Sequence, residues 1–309
     1  MEKRNFPVGK LVLLASARSA GKKLSFRGEE ISVQELTERS FEGIDVAIFS
    51  AGGKVSLKYA PIAAKAGCIV IDNSSAFRMD PDVPLVVPEI NPEELRTHKN
   101  IIANPNCTTI VALMALWPLH RAFGLKRIFG ASYQAVSGTG AEAIRELKRQ
   151  VTQIEQGETV TKEVYAHQMA FNVLPQVDVF LPSGYTKEEM KMQNEGQKIM
   201  SHPGFKASIT CVRVPVYRAH AVAIAGEFEK AITPALAREA LRNAPGIEVV
   251  DNPSNALYPT PLDVSGKDNC QVGRIRQDCA FENGLSFWVV GDQLLKGAAL
   301  NAVQIAELL

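Results

Sequence analysis

Short apolar runs alternate with helix-like stretches through the first third of the chain. Apolar runs occupy residues 11–15, 46–49, 69–71 and 101–103, and the apolar residues at 62–66 have helical spacing. Strands of a parallel sheet are joined by crossover helices, and chains that form such units show this alternation. The pattern therefore predicts an α/β domain with a parallel βαβ sheet.

The later part of the chain has a different pattern. A strand-like segment at 127–136 precedes a helical segment at 141–155, and a loop-rich stretch extends to Gln193. Two long alternating runs follow at 207–217 and 219–229. Alternation with period two over such lengths favours a mixed or antiparallel sheet. We therefore predict a second domain of α+β type.

The C-terminal residues 295–306 keep one apolar helical face over three turns. A helix with such a face packs against a hydrophobic core. We therefore predict that the chain returns to its first domain at its end. Residues 1–104 with 295–309 are predicted to form one domain, and residues 105–294 the other.

Charge and cysteine content narrow the class of protein. In 309 residues, 34 Lys and Arg balance 33 Asp and Glu, which gives a formal net charge of +1 and favours neither a nucleic acid nor a membrane as partner. The five cysteines are widely spaced without a Cys-x-x-Cys pair, so neither a disulfide framework nor a metal site is expected. No signal-type segment or span of about 20 apolar residues occurs. We therefore expect a protein of the reducing cytoplasm.

One cysteine lies where an apolar run meets a predicted helix. Asn104-Pro105-Asn106-Cys107-Thr108-Thr109 follows the run at 101–103 and precedes apolar residues of helical period. Cys107 is thus expected in the first turn of a helix, where unpaired N–H groups and the helix dipole favour a thiolate. A thiolate can act as a nucleophile, although most free cysteines are small buried hydrophobes, and the spacing alone leaves both interpretations open.

Other residues could complete a catalytic site around this thiol. His220 is the only histidine within a strand-like pattern, and Gln134 ends a strand before the turn Ser137-Gly138-Thr139-Gly140. Arg78 could bind an anion, and Glu188 and Lys191 are one helical turn apart. Each also has an ordinary structural interpretation: a core histidine, a common turn, a surface arginine and a weak surface ion pair.

The N-terminal domain offers a candidate site for a dinucleotide. Ser16-Ala17-Arg18-Ser19 follows the first apolar run and carries no acid, as suits the 2′-phosphate of NADP, although a solvated basic turn has the same composition. Ser50-Ala51-Gly52 follows the next run and would allow close approach of a ligand. The first strand and the Gly-x-x-Gly-x-x-Gly turn of a Rossmann-like domain are not found, so weakened NADPH binding is expected.

Five motifs in order resemble those of the aspartate-semialdehyde dehydrogenases over nearly the whole chain. They are Ser-Ala-Arg-Ser-Ala-Gly-Lys at 16–22, Asp-Asn-Ser-Ser-Ala-Phe-Arg-Met at 72–79, Asn-Pro-Asn-Cys-Thr-Thr at 104–109, Tyr-Gln-Ala-Val-Ser-Gly at 133–138 and Arg-Val-Pro-Val-Tyr-Arg-Ala-His at 213–220. The resemblance implies a Rossmann-like domain joined to a catalytic and dimerisation domain, and a homodimer.

The resemblance also implies a reaction. The Cys107 thiolate attacks L-aspartyl 4-phosphate and displaces phosphate, and NADPH reduces the resulting thioester to aspartate semialdehyde. This step serves the biosynthesis of lysine, threonine, methionine and diaminopimelate. His220 is then expected to act as acid and base, and Asn106 and Gln134 to orient the acyl group.

Binding roles follow from the same resemblance. Arg213 is expected to bind the substrate carboxylate and Glu188 its amino group, whereas Arg78 and Lys191 bind phosphate. The residues expected to contact NADP are Ser16, Arg18, Ser19, Ser50, Ala51, Gly52, Ser137, Gly138 and Asn301. One departure from the family pattern is Ala221, which stands after the histidine where serine is common.

Three alternatives remain at this point. A glyceraldehyde-3-phosphate dehydrogenase shares the Cys-Thr-Thr segment and thioester chemistry, and an N-acetylglutamyl-phosphate reductase acts on an acylated amine that has no use for Glu188. The third alternative is a noncatalytic homologue that only dimerises.

Overall fold

The computed structural model describes residues 1–309, which divide into two units. Met1–Asn104 and Asn301–Leu309 form what we call the terminal unit, and Pro105–Leu300 form the central unit. Residues 295–300 were expected in the first domain but belong to the central unit. The reason is local packing, because the backbone at Gly297 lies directly against Cys107 of the central unit.

The terminal unit contains six strands and one long helix, followed at the C-terminus by most of α7. These elements are β1 (Leu13–Ala15), β2 (Lys23–Phe26), β3 (Glu29–Glu35), β4 (Val46–Phe49), α1 (Gly53–Lys65), β5 (Ile69–Asp72) and β6 (Ile101–Ala103). The central unit contains α2 (Cys107–Phe123), β7 (Leu125–Ala135), α3 (Ala141–Glu155), α4 (Lys187–Ile199), β8 (Lys206–Val214), β9 (His220–Phe228), α5 (Pro234–Arg242), β10 (Ile247–Val249), α6 (Pro261–Val264), β11 (Cys270–Gln277) and β12 (Gly284–Gly291). A π-helical turn, Leu295–Ala299, leads into α7 (Leu300–Glu307).

Two three-stranded sheets form the framework of the terminal unit. One has the order β4-β5-β6 with all strands parallel, and the other has the order β1-β3-β2. In the second sheet β1 is parallel to β3, and β2 and β3 form an antiparallel hairpin. The predicted parallel α/β architecture is confirmed, whereas this hairpin was not predicted.

The hairpin turn explains why the sequence did not reveal it. Arg27 and Gly28 connect the two strands with φ of 52° and 82°. Positive φ at both positions is the geometry of a type I′ turn, whose usual signal is Asn-Gly or Asp-Gly. Arginine at the first position hides that signal.

The C-terminal helix packs on the parallel sheet of the terminal unit, as predicted. Ala302 and Ile305 of α7 are fully buried in one cluster with Ile71 of β5 and Ile102 of β6. The last helix of the chain therefore completes the hydrophobic core of the terminal unit.

A six-stranded mixed sheet forms the framework of the central unit. Its order is β10-β11-β12-β9-β7-β8, in which β7 pairs in parallel with β8 and in antiparallel with β9. The predicted mixed sheet is confirmed. Helix α2 contacts β7, β9 and β12, and its apolar side chains are buried from Ile110 to Leu116. None of the helices combines the length and apolar character needed to cross a bilayer.

The segment predicted as loop-rich up to Gln193 in fact contains the start of α4. Thr186 and Glu189 form a capping box at its N-terminus, in which each side chain bonds the backbone of the other. The helix escaped the apolar pattern because several of its buried positions are glutamates: Glu188, Glu189 and Glu195.

Candidate active site

Cys107 is the first residue of α2, as the sequence predicted. Asn106 is the N-cap, and its Oδ1 accepts the N–H groups of Thr108 at 3.0 Å and Thr109 at 3.1 Å. Such a cap satisfies two of the free donors at a helix start and fixes the first turn. The half-buried Cys107 side chain therefore projects from a well-defined backbone.

A π-helical turn lies against this cysteine. A Cβ atom on Gly297 would lie 2.9 Å from Cys107 Cβ and 3.3 Å from its Cα, so only glycine fits without displacement. Turns of π type occur often at functional sites. Sequence reasoning missed Gly297 because nothing in Lys296-Gly297-Ala298-Ala299 distinguishes close packing from an ordinary helical glycine.

Glu188 is the centre of a hydrogen-bond network that includes three other predicted site residues. Its Oε1 accepts from Asn106 Nδ2 at 3.0 Å and from Gln134 Nε2 at 3.3 Å, and its Oε2 accepts from Lys191 Nζ at 2.8 Å. Only 7% of Glu188 is exposed. The alternative of a surface ion pair is therefore excluded for Glu188 and Lys191.

Glu188 and Lys191 each stabilise the charged form of the other. Burial acts to raise the pKa of Glu188, but the charge of Lys191 and the donated hydrogen bonds bring that pKa below its ordinary value. Burial acts to lower the pKa of Lys191, but Glu188 and then Asp178 raise it. Asp178 Oδ2 lies 3.2 Å from Lys191 Nζ. Both groups are thus kept charged in a largely buried position.

Ala135 connects His220 with Arg213. Its N–H donates to His220 Nδ1 at 3.1 Å, and its carbonyl accepts from Arg213 Nη1 at 2.7 Å. Because Nδ1 accepts this bond, the proton of the neutral imidazole is on Nε2. His220 is fully buried, and its Nε2 has no hydrogen-bond partner.

Burial, and next the positive charge of Arg213, lower the pKa of His220 to about 3. Glu188 and the backbone of Ala219 act in the opposite direction, to raise this pKa. The N–H of Ala135 has good geometry toward Nδ1, so we assign Nδ1 as an acceptor. At neutral pH His220 is therefore an uncharged ring with a donor free to bind a ligand.

The turn Ser137-Gly138 passes immediately over these side chains. A Cβ on Gly138 would lie 2.9 Å from Arg213 Nη1 and 3.2 Å from His220 Nε2. The backbone of this turn therefore lies directly against Arg213 and His220, and its predicted contact with the nicotinamide stays a prediction. Ser137 Oγ accepts a hydrogen bond from the buried amide of Gln293, which sequence reasoning did not identify.

In the terminal unit, two exposed turns have the features that a dinucleotide requires. Arg18 is exposed in a short turn after β1, between Ser16 and Ser19. Ser50 and Ala51 are exposed directly before α1, whose N-cap Gly52 has φ of 90°. A free guanidinium and an accessible helix N-terminus both fit phosphate groups, so these residues suit the cofactor predicted for them.

Two predicted site residues of the terminal unit bind backbone groups. Arg78 is 7% exposed, and its Nε donates to the carbonyl of Asn104 and its Nη2 to that of Asn73, both at 2.9 Å. Asn301 is fully buried, and its Nδ2 donates to the Val86 carbonyl and to Asn104 Oδ1. Both side chains thus stabilise the ends of the parallel strands, and their ligand roles stay predictions.

Comparison with known families and proteins identifies the class of enzyme. The model of the semialdehyde dehydrogenase NAD binding domain matches residues 1–98, and that of the semialdehyde dehydrogenase dimerisation domain matches residues 116–296. The aspartate-semialdehyde dehydrogenase of Aquifex aeolicus is 56% identical over 313 residues, covering 100% of this chain and 92% of the relative. That of Bacillus subtilis is 49% identical, covering 99% and 91%.

Solved structures agree with this assignment. Aspartate semialdehyde dehydrogenase II from Vibrio cholerae, complexed with ASA, has a TM-score of 0.96 at 47% identity and covers 99% of this chain and 91% of that one. The Candida albicans enzyme with NADP has a TM-score of 0.75 at 25% identity, covering 96% and 89%. By sequence along its whole length and by fold, the chain belongs to the aspartate-semialdehyde dehydrogenase family.

Proposed function

We propose that Cys107 is the nucleophile with which this chain performs the reaction of its family, the NADPH-dependent conversion of L-aspartyl 4-phosphate to L-aspartate 4-semialdehyde. The observation that carries the proposal is the network joining Asn106, Gln134 and Glu188 at the residue before this thiol. A structural cysteine has no need of such a network. The thiolate adds to the acyl carbon, the bond to the phosphate oxygen breaks, and a thioester remains on Cys107.

His220 supplies the donor for the oxygen that gains charge. The reacting carbonyl becomes an oxyanion when the thiolate adds, and again when the thioester is reduced. A buried Nε2–H without a partner in the protein is preorganised to bind that oxygen at little reorganisation cost. Asn106 and Gln134 orient the acyl group beside it. NADPH, when bound, supplies the hydride.

Charged anchors select an amino-acid substrate. Arg213 binds the substrate carboxylate, Glu188 its amino group, and Lys191 and Arg78 its phosphate. Because the substrate carries anionic groups and one cation, it needs at least two cationic anchors and one anionic anchor. The depressed pKa of Glu188 supports this role, since the carboxylate stays ionised while it is buried. A sugar phosphate or an acylated amine has no group for Glu188.

Nine residues are proposed to contact the cofactor. Arg18, Ser16 and Ser19 bind the 2′-phosphate of NADP, and Ser50, Ala51 and Gly52 let the dinucleotide approach the start of α1. Ser137 and Gly138 contact the nicotinamide side. Asn301, whose Nδ2 donates to Asn104 Oδ1, completes this set.

A homodimer and a reducing compartment complete the proposal. Phe129 and Tyr133 are exposed on one face of β7, and Trp288 of β12 lies beside Tyr133 at 5.2 Å between ring centroids. An aromatic face of this kind suits burial against a second copy. The Phe129→Asp variant should lower the mass measured by light scattering, and an unchanged dimer would exclude this face. None of the five cysteines forms a disulfide, which is usual for proteins of a reducing compartment.

The decisive experiment is phosphate-dependent reduction of NADP with aspartate semialdehyde. We expect activity that the Cys107→Ser substitution abolishes, and weaker activity with glyceraldehyde 3-phosphate or with N-acetylated semialdehyde. Equal activity in both proteins would refute Cys107 as nucleophile. Absence of activity in both would favour the noncatalytic alternative, and preference for the sugar phosphate would refute the role of Glu188.

A further inference from the structure

Glu195 is a buried carboxyl group with no role in the site described so far. It lies in α4 seven residues after Glu188, which puts the two side chains on the same face of the helix. Only 2% of Glu195 is exposed. A glutamate is seldom buried to this extent without a specific partner.

One partner of Glu195 is a backbone group of the residue before Cys107. Glu195 Oε2 accepts the N–H of Asn106 at 2.7 Å, across 89 residues of sequence. Asn106 is also bound at its side chain, because Nδ2 donates to Glu188 Oε1 at 3.0 Å. Helix α4 thus binds Asn106 by its main chain and by its side chain, while Asn106 caps α2.

We propose that Glu195 is a positioning residue for the nucleophile, because it fixes the backbone from which Cys107 projects. The N–H of Asn106 precedes Cys107 by one residue, so a change in its orientation rotates the first turn of α2. A shift of about 1 Å in a reacting group can lower a rate by about a hundredfold. Glu195 does not touch the substrate and acts through Asn106.

Matched variants distinguish the effect of the length of the Glu195 side chain from the effect of its charge. E195Q keeps the length of the side chain and an oxygen acceptor but removes any charge. E195D keeps the carboxyl group but is one methylene shorter, so it leaves Asn106 N–H without its acceptor. E195M, which keeps the length without an acceptor, replaces E195D if that variant does not fold. Circular dichroism and Tm verify folding.

The proposal rests on Cys107 as nucleophile, and two readouts keep the two claims apart. The first is kcat and KM for aspartate semialdehyde with NADP and phosphate. The second is the rate of Cys107 alkylation by iodoacetamide as pH varies, which requires no turnover. If the parent chain shows no activity that depends on Cys107, the proposed function fails. The alkylation rates then still test the role of Glu195.

We expect E195Q to keep kcat within about threefold of the parent chain, since a neutral acceptor retains most of one hydrogen bond. E195D is expected to lose kcat by about tenfold to a hundredfold with KM changed less than about twofold, and to alkylate more slowly. Parent-like kcat and alkylation in E195D would overturn the proposal. Equal losses of kcat in E195Q and E195D would also overturn the proposal, because they would indicate that the charge of Glu195 matters and not the position that it gives to Asn106.

Discussion

The N–H of Ala135 holds His220 in a single tautomer, through a bond of 3.1 Å to Nδ1. The same residue binds Arg213 through its carbonyl, so the backbone of Ala135 positions both the imidazole and the guanidinium. An imidazolium needs a proton on both ring nitrogens, and a proton on Nδ1 would face the N–H of Ala135. The geometry therefore opposes protonation of His220, in the same direction as burial and Arg213. This favours a hydrogen-bond donor over the exchange of protons that the family resemblance implies.

We predict that His220 stays neutral with its proton on Nε2 from pH 5 to pH 9. Nitrogen-15 NMR of histidine-labelled protein measures this directly, and the spectrum of the His220→Gln variant assigns the signal. A titration of that signal near pH 6.5, or a proton on Nδ1, would contradict the assigned hydrogen bond.

The depressed pKa of His220 also predicts how stability depends on pH. The unfolded chain takes up a proton near 6.5, whereas the folded ring does so only near 3. The contribution of His220 to the free energy of unfolding is therefore fully present above pH 6.5. It decreases as pH falls toward 3, by up to about 1.4 kcal/mol per pH unit. His120 also has a lowered pKa, mainly because of burial. The difference in unfolding free energy between the parent chain and His220→Gln, measured in urea against pH, isolates His220.

Gly297 is predicted to be essential for the position of Cys107. In Gly297→Ala the added Cβ would lie 2.9 Å from Cys107 Cβ, so the π-helical turn or the start of α2 must move. We expect kcat to fall by about tenfold to a hundredfold and alkylation of Cys107 to change, with little change in Tm. Gly9→Ala is the matched control, because nothing lies within 4 Å of a Cβ at that position. Equal kinetics in the two variants would show that the turn adapts without cost.

The sequence predicted the parts of this site that have local signals. Cys107 at the start of a helix follows from an apolar run, a polar cap and a helical period, all within a few residues. The parallel sheet of the terminal unit and the mixed sheet of the central unit follow in the same way from apolar periodicity.

The parts that the sequence did not reveal depend on contacts between distant residues. Glu195 and Gln293 are 89 and 156 residues from the groups they bind. A single amino-acid sequence does not indicate such contacts. Gly297 looks like any helical glycine until Cys107 is placed against it. The tautomer of His220 depends on the backbone of Ala135, a residue whose own side chain is not involved.

The contact between Asn106 and Glu188 predicts an unusual pH dependence for one substitution. Asn106→Asp keeps an oxygen to cap α2 but puts a second carboxylate at the position 3.0 Å from Glu188 Oε1. Two carboxylates this close share a proton, and the pKa of the pair rises. As pH falls, the shared proton restores a hydrogen bond. The ratio of variant to parent kcat/KM should therefore increase toward low pH.

The control for this prediction is Asn106→Ala, which removes the cap and the donor together. It should cost about 1 kcal/mol of stability. Its activity ratio should not vary with pH in the same way. A ratio for Asn106→Asp that is flat from pH 5 to pH 9 would indicate that Glu188 moves away from residue 106.

Arg18 should determine the preference for NADP over NAD. Its guanidinium is exposed, and nothing in the sequence of its turn supplies an acid for a free ribose. In Arg18→Ala we expect KM for NADP to rise by about tenfold, since a hydrogen bond to a charged group contributes about 1.5 kcal/mol or more. KM for NAD should stay unchanged, because NAD lacks the 2′-phosphate. Arg39→Ala, which removes another exposed arginine, paired with Glu42, is the matched control and should alter neither value. A parallel rise in KM for both cofactors would assign Arg18 to the pyrophosphate, and no change in either would remove it from the cofactor site.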